Sequence, residues 1–172
     1  DEAVEKIHSY GVHTGLRSNL IGAAQLLVAI DRARSTEALK LFAEAVDRSP
    51  RDPWELLEIG SLMVGIGTSG EIGPMANEGV KVLEKAAQVE PASGIIHSRL
   101  AMAYAALGRY QDALRTILEA AKLSPRSVVL ARLASELLAN QGRAQEAVTW
   151  EAEAKKREAA AAASRPAQQG QP

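Results

Sequence analysis

The clearest apolar pattern in the chain lies between residues 95 and 124 and predicts two amphipathic helices joined by a short turn. In the first segment, apolar side chains recur on one helical face as Ile96, Leu100, Ala103 and Tyr104. Gly108 follows, and glycine is the residue on which helices commonly end. The second segment has a face of the same kind, formed by Tyr110, Ala113, Leu114, Ile117, Ala120 and Ala121. It stops before Pro125, because proline disfavours a helical conformation in the residue that precedes it.

This helical hairpin recurs along the chain. Pro50, Pro91 and Pro125 each close a segment that carries Ala, a bulky apolar residue and Ala at the same offsets. Pro91 and Pro125 are 34 residues apart, and so are Gly108 and Gly142. The fixed period predicts a stack of repeats rather than a fold with a single central core.

The second repeat is longer than the others. Pro50 and Pro91 are 41 residues apart, so this repeat holds seven additional residues. Residues 66–75 are rich in glycine and show no helical pattern, and we therefore predict that they form an inserted, mobile loop. Before this loop, Asp52 is expected to cap a helix that has Pro53 at its first position.

The predicted fold class is all-α, with about four helical hairpins stacked into an α-solenoid between residues 16 and 163. Residues 1–15 are expected to form an N-terminal capping helix or part of a truncated repeat. Residues 164–172 are mostly Gln, Gly and Pro with little to bury, and we predict a disordered tail there.

Composition excludes several classes of function. Twenty basic residues balance twenty-one acidic ones, which disfavours a nucleic-acid partner. There is no cysteine, so disulfides and thiolate chemistry are excluded. The most hydrophobic stretch, Leu20–Ile30, is shorter than the roughly 20 residues that cross a bilayer, so no membrane insertion is expected and the protein is expected to be soluble, in the cytoplasm or the periplasm.

Candidate chemistry is sparse. Residues 65–70 spell the glycine pattern of dinucleotide-binding loops, but a helix precedes them where that motif needs a strand, so the loop interpretation is favoured. His8, His13 and His97 do not form a converging ligand set for zinc. No nucleophile has the neighbours it needs. We therefore predict that the protein is not an enzyme and has no cofactor and no metal site.

With residues Leu100, Ala101, Tyr104, Gly108, Tyr110, Ala113, Ile117, Ala120 and Pro125 at these spacings, the third repeat resembles a tetratricopeptide repeat. The resemblance extends over about residues 19–157, with departures in the length of the second repeat and in the first and fourth repeats. It implies a right-handed superhelix whose first helices line a concave groove that holds an extended peptide or a partner helix. Carried over by position, the groove residues are Trp54, Leu57, Ser61, Val64, Ile95, Ser98, Met102, Val129, Arg132, Glu136 and Asn140.

The implied groove is mostly apolar, with a polar patch of Arg132, Glu136 and Asn140. Family members that bind chaperone tails use lysines and asparagines to hold a terminal carboxylate. Ala23, Leu27 and Ile95 stand at such positions here, which disfavours that ligand. Repeats that read RNA need a basic concave surface, which this groove does not provide.

Two interpretations of function remain. The first is a non-enzymatic scaffold or adaptor that binds a protein or peptide partner in the groove, and the oligomeric state stays open. The alternative is a structural or regulatory assembly module of a larger, possibly enzymatic, polypeptide. Trp54 is a candidate hot spot in the groove and Trp150 a candidate anchor for a neighbouring domain, with ordinary packing as the alternative for both.

Overall fold

A computed structural model of the chain describes residues 17–163. The predictions for residues 1–15 and 164–172 lie outside this range. The described residues form eight α-helices and no strand, as the apolar periodicity predicts. The helices are α1 (Arg17–Ile30), α2 (Ser35–Arg48), α3 (Pro53–Ser69), α4 (Gly73–Val89), α5 (Gly94–Ala106), α6 (Tyr110–Leu123), α7 (Val128–Asn140) and α8 (Ala144–Ala163).

Consecutive helices pack as four hairpins, α1 with α2, α3 with α4, α5 with α6 and α7 with α8, and each hairpin packs on the next. One apolar cluster joins the first two hairpins around the fully buried Phe42, Leu56 and Ile59. A second continues from the second hairpin to the fourth and includes Leu83 and Ile117. Each hairpin therefore buries its apolar face against its neighbours, as in an α-solenoid.

Side chains that cap the first helices recur at equivalent positions of the repeats, as the apolar residues do. Asp52 accepts hydrogen bonds of 3.0 Å from the backbone N–H groups of Trp54 and Glu55, which confirms the predicted cap of α3. Ser93 and Ser127 occupy the equivalent positions before α5 and α7, and their side chains accept from Ile96 N and Leu130 N at 3.4 and 3.3 Å. These bonds satisfy backbone donors that the first helical turn leaves without partners.

Helix ends in the third and fourth repeats depend on glycine. Gly108 and Gly142 have φ angles of 72° and 73°, in the left-handed region that glycine enters without steric cost. After α5, Gly108 N donates to Ala105 O at 3.0 Å and Arg109 N donates to Tyr104 O at 2.8 Å. These two bonds form a Schellman motif, which confirms the predicted role of Gly108.

The prediction of an inserted loop over residues 66–75 is wrong. Helix α3 continues to Ser69 and α4 begins at Gly73, so only residues 70–72 connect them. The additional residues lengthen both helices, to 17 residues each, against 13 in α5 and 14 in α6. Gly67, which the predicted loop includes, instead lies on α3 two helical turns after Gly60, and both glycines face α4.

These glycines let the two long helices approach each other closely. A Cβ atom on Gly67 would lie 2.6 Å from Ala76 Cβ, and one on Gly79 would lie 2.8 Å from Met63 Cβ. At Gly60 a Cβ atom would lie 2.9 Å from the carbonyl oxygen of Gly79. Real Cβ atoms essentially never come within 3.0 Å of another heavy atom. Glycine at positions 60, 67 and 79 is therefore a requirement of helix packing.

The first repeat also departs from the expected pattern. A short 3₁₀ helix, Arg32–Arg34, stands where the other hairpins have a simple turn, and Asp31 accepts a 2.9 Å hydrogen bond from Ala33 N at its start. Ala23 and Leu27, which correspond to groove positions by spacing, are buried in the core. The exposed face of α1 instead carries Leu26 and Ile30.

Candidate binding surface on the first helices

Three apolar side chains occupy the same position at the start of successive first helices. Trp54, Ile95 and Val129 each stand four residues after the proline that closes the preceding repeat. Their exposed fractions are 54%, 59% and 65%. We call these residues the apolar row. Single exposed apolar residues are common on proteins, but a row that repeats with the fold is an organised surface feature.

The predicted groove residues of the third repeat lie along α5. Met102, two turns beyond Ile95, is 46% exposed. Ser98 lies between them and is half-buried, and its hydroxyl donates a 2.8 Å hydrogen bond to the carbonyl oxygen of Ile95. Because that hydroxyl is bound to its own helix, the apolar side chains of Ile95 and Met102 form most of this surface.

The second repeat exposes fewer of its predicted groove residues than the repeat spacing indicates. Leu57 and Ser61 are half-buried, and Leu57 packs against both apolar clusters. Val64 is only 8% exposed and belongs to the second cluster. Of the four residues predicted on α3, Trp54 alone is exposed.

The three residues of the predicted polar patch do not act together in the structure. Arg132 is exposed, but its Nη2 lies 2.8 Å from Glu158 Oε2 of α8, so its charge is engaged at the end of the stack. Glu136 and Asn140 are also exposed and line a cavity between the third and fourth repeats. Met102 lies in the wall of the same cavity, so three of the predicted residues come together there.

This cavity, which we call the groove cavity, has a volume of about 360 Å³. Its lining is Ala101, Met102, Ala105, Tyr110, Ile117, Leu133, Glu136, Leu137 and Asn140. Tyr110, 47% exposed, was predicted on the buried face of its helix. It lies in the first turn of α6, where the hairpin turn exposes one side of the ring, and the apolar spacing gives no signal of that exposure.

A second cavity, of about 510 Å³, lies between α2 and α4, the second helices of the first two repeats. We call it the second-helix cavity. It is lined by Thr36, Leu39, Lys40, Phe42, Ala43, Val46, Asp47, Met63, Glu78 and Val82. Sequence reasoning missed it, because its width depends on how far apart the two helices stand and not on the residues of either one.

Trp150 is half-buried and packs against the second apolar cluster. The guanidinium of Arg157 lies 5.9 Å from the centre of its ring. Arg157 also donates to Glu153 Oε1 at 2.9 Å and to the backbone oxygen of Ser127 at 3.1 Å. Trp150 thus contributes to the packing of the fourth repeat.

A buried polar contact joins the second and third repeats. The Tyr104 hydroxyl donates a 2.7 Å hydrogen bond to Glu84 Oε1, and the Arg109 guanidinium lies 4.4 Å from the centre of the Tyr104 ring. Burial, followed by the hydrogen bond to Glu84, raises the pKa of Tyr104 from 10.0 to about 12. The contact fixes α5 against α4.

The described residues offer little for catalysis or cofactor binding. No group of three or more His, Asp or Glu side chains within residues 17–163 is placed to hold a metal ion. Residues 65–69 of the glycine pattern lie on α3 and Gly70 caps its end, so they do not form the strand, turn and helix of a dinucleotide site. In this part of the chain no helix combines the length and hydrophobicity needed to cross a bilayer.

Comparisons with known proteins agree with this fold. Residues 94–127 match the family model of the tetratricopeptide repeat. Among curated proteins, none matches the chain by sequence. The fold is similar to the solved structure of MamA 41-end from Desulfovibrio magneticus RS-1, with a TM-score of 0.63 at 14% identity over 92% of this chain and 85% of that one. A crystal structure of MamA protein aligns with a TM-score of 0.65 at 12% identity over 98% of this chain and 87% of that one.

At these identities the likeness to MamA concerns the fold alone. The match of the third repeat covers the residues on which the resemblance was based, Leu100, Tyr104, Gly108, Ala120 and Pro125 among them. The repeat and the fold together support a protein-interaction scaffold in general terms. The chain is therefore a helical repeat protein in which residues 94–127 match the tetratricopeptide repeat.

Proposed function

We propose that this protein is a non-enzymatic interaction module that holds a peptide or a partner helix along its first helices. The observation that carries the proposal is the apolar row of Trp54, Ile95 and Val129, continued along α5 by Met102. Water penalises such a surface, and the apolar side chains of a partner would cover it.

The energetics favour an apolar ligand. Each Å² of apolar surface removed from water contributes about 25 cal/mol before the costs of association. Affinity for an extended peptide would then come from Trp54, Ile95, Met102 and Val129, and it would depend little on salt, since screening acts on charges. Glu136 and Asn140 would orient the peptide.

Selection of a displayed library of random short peptides tests the proposal. The selection is run on the wild-type chain and on the double variant Ile95→Asp/Met102→Asp. The matched control is Leu123→Asp/Val148→Asp, which places two carboxylates on exposed apolar positions of the second helices, at 44% and 69% exposure. We call Ile95→Asp/Met102→Asp the groove variant. We expect the selection to yield peptides that bind the wild type and the control but not the groove variant.

The melting temperatures of all three proteins are measured in parallel, because loss of binding is informative only if the variant is folded. A folded groove variant that retains every selected peptide would contradict the proposal. Peptides that are lost only from the control would place the binding site on the second helices.

A second candidate function, an assembly module, is favoured by the second-helix cavity. Phe42, Val46 and Met63 contribute to its lining, and a neighbouring domain could insert an apolar side chain there. Ala43→Arg, at an exposed position in that lining, would block such an insertion. Peptides sensitive to Ala43→Arg and insensitive to Ile95→Asp/Met102→Asp would support this candidate.

A further inference from the structure

The groove cavity combines apolar walls with a rim that carries hydrogen-bond acceptors. Met102, Leu133 and the ring of Tyr110 contribute apolar surface, while the Glu136 carboxylate and the Asn140 amide are exposed at the same cavity. No Lys, Arg or His is among its lining residues. The second-helix cavity differs, because both Lys40 and acidic residues line it.

Two arginines close in sequence to this rim have other partners. Arg132, one turn before Glu136 on α7, lies 2.8 Å from Glu158. Arg109, beside Tyr110, lies 2.8 Å from Asp112 and over the Tyr104 ring. Within the described range, Glu136 and Asn140 have no side-chain hydrogen bond or ion pair of their own. The carboxylate is therefore available to a ligand.

The backbone gives the cavity the same electrostatic preference. Met102 and Ala105 lie in the last turns of α5, and Leu137 and Asn140 lie in the last turn of α7. Two helix C-termini and one helix N-terminus, that of α6 at Tyr110, therefore border the cavity, and the C-termini outnumber the N-terminus. The partial negative charge of a helix C-terminus, about half a unit charge, favours a cation nearby.

We propose that the groove cavity is a subsite for a lysine or arginine side chain of the bound peptide, an inference that rests on the proposed function and gives its partner a chemical class. The aliphatic stem of such a side chain covers Met102 and Leu133, and its charged head reaches the Glu136 carboxylate and the Asn140 carbonyl oxygen. Long basic side chains bury apolar stems while their heads stay in a polar environment. A carboxylate ligand would instead be repelled by the like charge of Glu136.

Small amphipathic ions test the subsite without a peptide. The probes are n-hexylammonium, hexanoate and 1-hexanol, which share an apolar stem and differ in the head group. The chain has three methionines, and their labelled methyl groups report on separate places by NMR. Met102 lines the groove cavity, Met63 lines the second-helix cavity and Met75 is fully buried.

We expect n-hexylammonium to shift the Met102 methyl signal saturably and to bind more tightly than hexanol or hexanoate. Glu136→Gln should weaken the binding of n-hexylammonium about threefold, as expected for one exposed ion pair, and should leave the binding of hexanol unchanged. The control is Glu119→Gln, which removes an exposed carboxylate from α6 away from the cavity and should have no effect. Equal binding of hexanoate, no saturable Met102 shift, or equal effects of the two variants would overturn the proposal.

The peptide selection then separates the two hypotheses. Peptides selected on the wild type should contain a Lys or Arg at one common position, and Glu136→Gln should remove that preference while binding continues. If groove-dependent peptides show no basic preference, the subsite is wrong and the proposed function stands. If n-hexylammonium binds at Met102 but no peptide depends on Ile95 and Met102, the proposed function is wrong and the subsite binds some other cation.

Discussion

Gly67 of α3 faces Ala76 of α4 so closely that a Cβ atom on Gly67 would lie 2.7 Å from Ala76 Cα. The two helices are the longest pair in the first three repeats, and this contact lies at the end where they extend beyond the ordinary repeat length. Gly67 is buried, whereas Gly65, two residues earlier on the same helix, is exposed and has no neighbouring atom within 4 Å of its Cβ position.

Gly67→Ala and Gly65→Ala are therefore predicted to change stability in opposite directions. Alanine is favoured over glycine in a helix by about 1 kcal/mol, so Gly65→Ala should stabilise the fold by up to that amount. At Gly67 the added methyl group forces the helices apart, and overpacking of this kind costs about 1 to 3 kcal/mol, so Gly67→Ala should destabilise. Urea denaturation of both variants measures the difference. Equal stabilisation would show that the helices do not cross closely at Gly67.

Gly108→Val is predicted to destabilise by roughly 1 to 2 kcal/mol, because valine resists the positive φ that ends α5. Nothing lies within 4 Å of a Cβ atom on Gly108, so the effect would come from the backbone and not from a clash. Gly108→Asn should cost less, since asparagine tolerates the left-handed region better. Thermal melts compare the two variants, and an equal loss in both would point to a cause other than φ.

Stability should fall between about pH 10 and pH 12 because of Tyr104. The folded-state pKa of about 12 exceeds the ordinary value of 10.0, so the unfolded chain loses this proton first as pH rises. The contribution of Tyr104 is therefore fully present below pH 10 and is lost as pH rises through the folded-state pKa. Tyr104→Phe removes this part of the pH dependence. Denaturant midpoints across this range should decline less steeply in the variant, and parallel curves would contradict the assignment.

At neutral pH, Tyr104→Phe should itself cost about 1 kcal/mol, through loss of the hydrogen bond to Glu84. Glu84 is half-buried and can regain a bond to water, which limits the loss. Because the bond joins α4 and α5, hydrogen exchange should increase at that boundary more than within α1 and α2. An increase spread evenly over the chain would indicate a general loss of stability instead.

Arg157→Ala is predicted to destabilise the fourth repeat by about 1 to 2 kcal/mol, because one side chain contacts Glu153, the Ser127 carbonyl oxygen and the Trp150 ring. Arg157 also lowers the pKa of Glu153, first through their hydrogen bond. Arg157→Lys keeps the charge without the planar donors and should recover only part of the loss. Trp150 fluorescence follows the unfolding. A full recovery with lysine would show that charge alone matters.

The apolar spacing, together with the positions of proline and glycine, predicted the helical hairpins, their number and most of their ends. Asp52 caps α3 and Gly108 ends α5 because both effects act within one helical turn, where the sequence names every atom involved. Caps and turns of this kind depend on short-range geometry that each repeat carries by itself. The exposure of Trp54, Ile95, Met102 and Val129 was implied only by the resemblance to the tetratricopeptide repeat, and it requires that the hairpins pack side by side.

Short-range sequence patterns do not predict the packing between helices. Residues 66–75 have the composition of a loop, and only the close approach of α4 shows why α3 needs glycine at position 67. Ala23 and Leu27 have the spacing of groove residues, yet both side chains of α1 are buried in the core. Arg132, Glu136 and Asn140 look like one polar patch in sequence, but α8 places Glu158 beside Arg132 and leaves the other two residues at the groove cavity.

The sequence by itself therefore determined what each hairpin is, since helix periodicity, caps and turns are properties of consecutive residues. Only the tertiary structure decided which faces the hairpins leave open to a partner. That outcome depends on the distances between packed helices, which small residues such as Gly67 and Ala76 set through the volume that they lack.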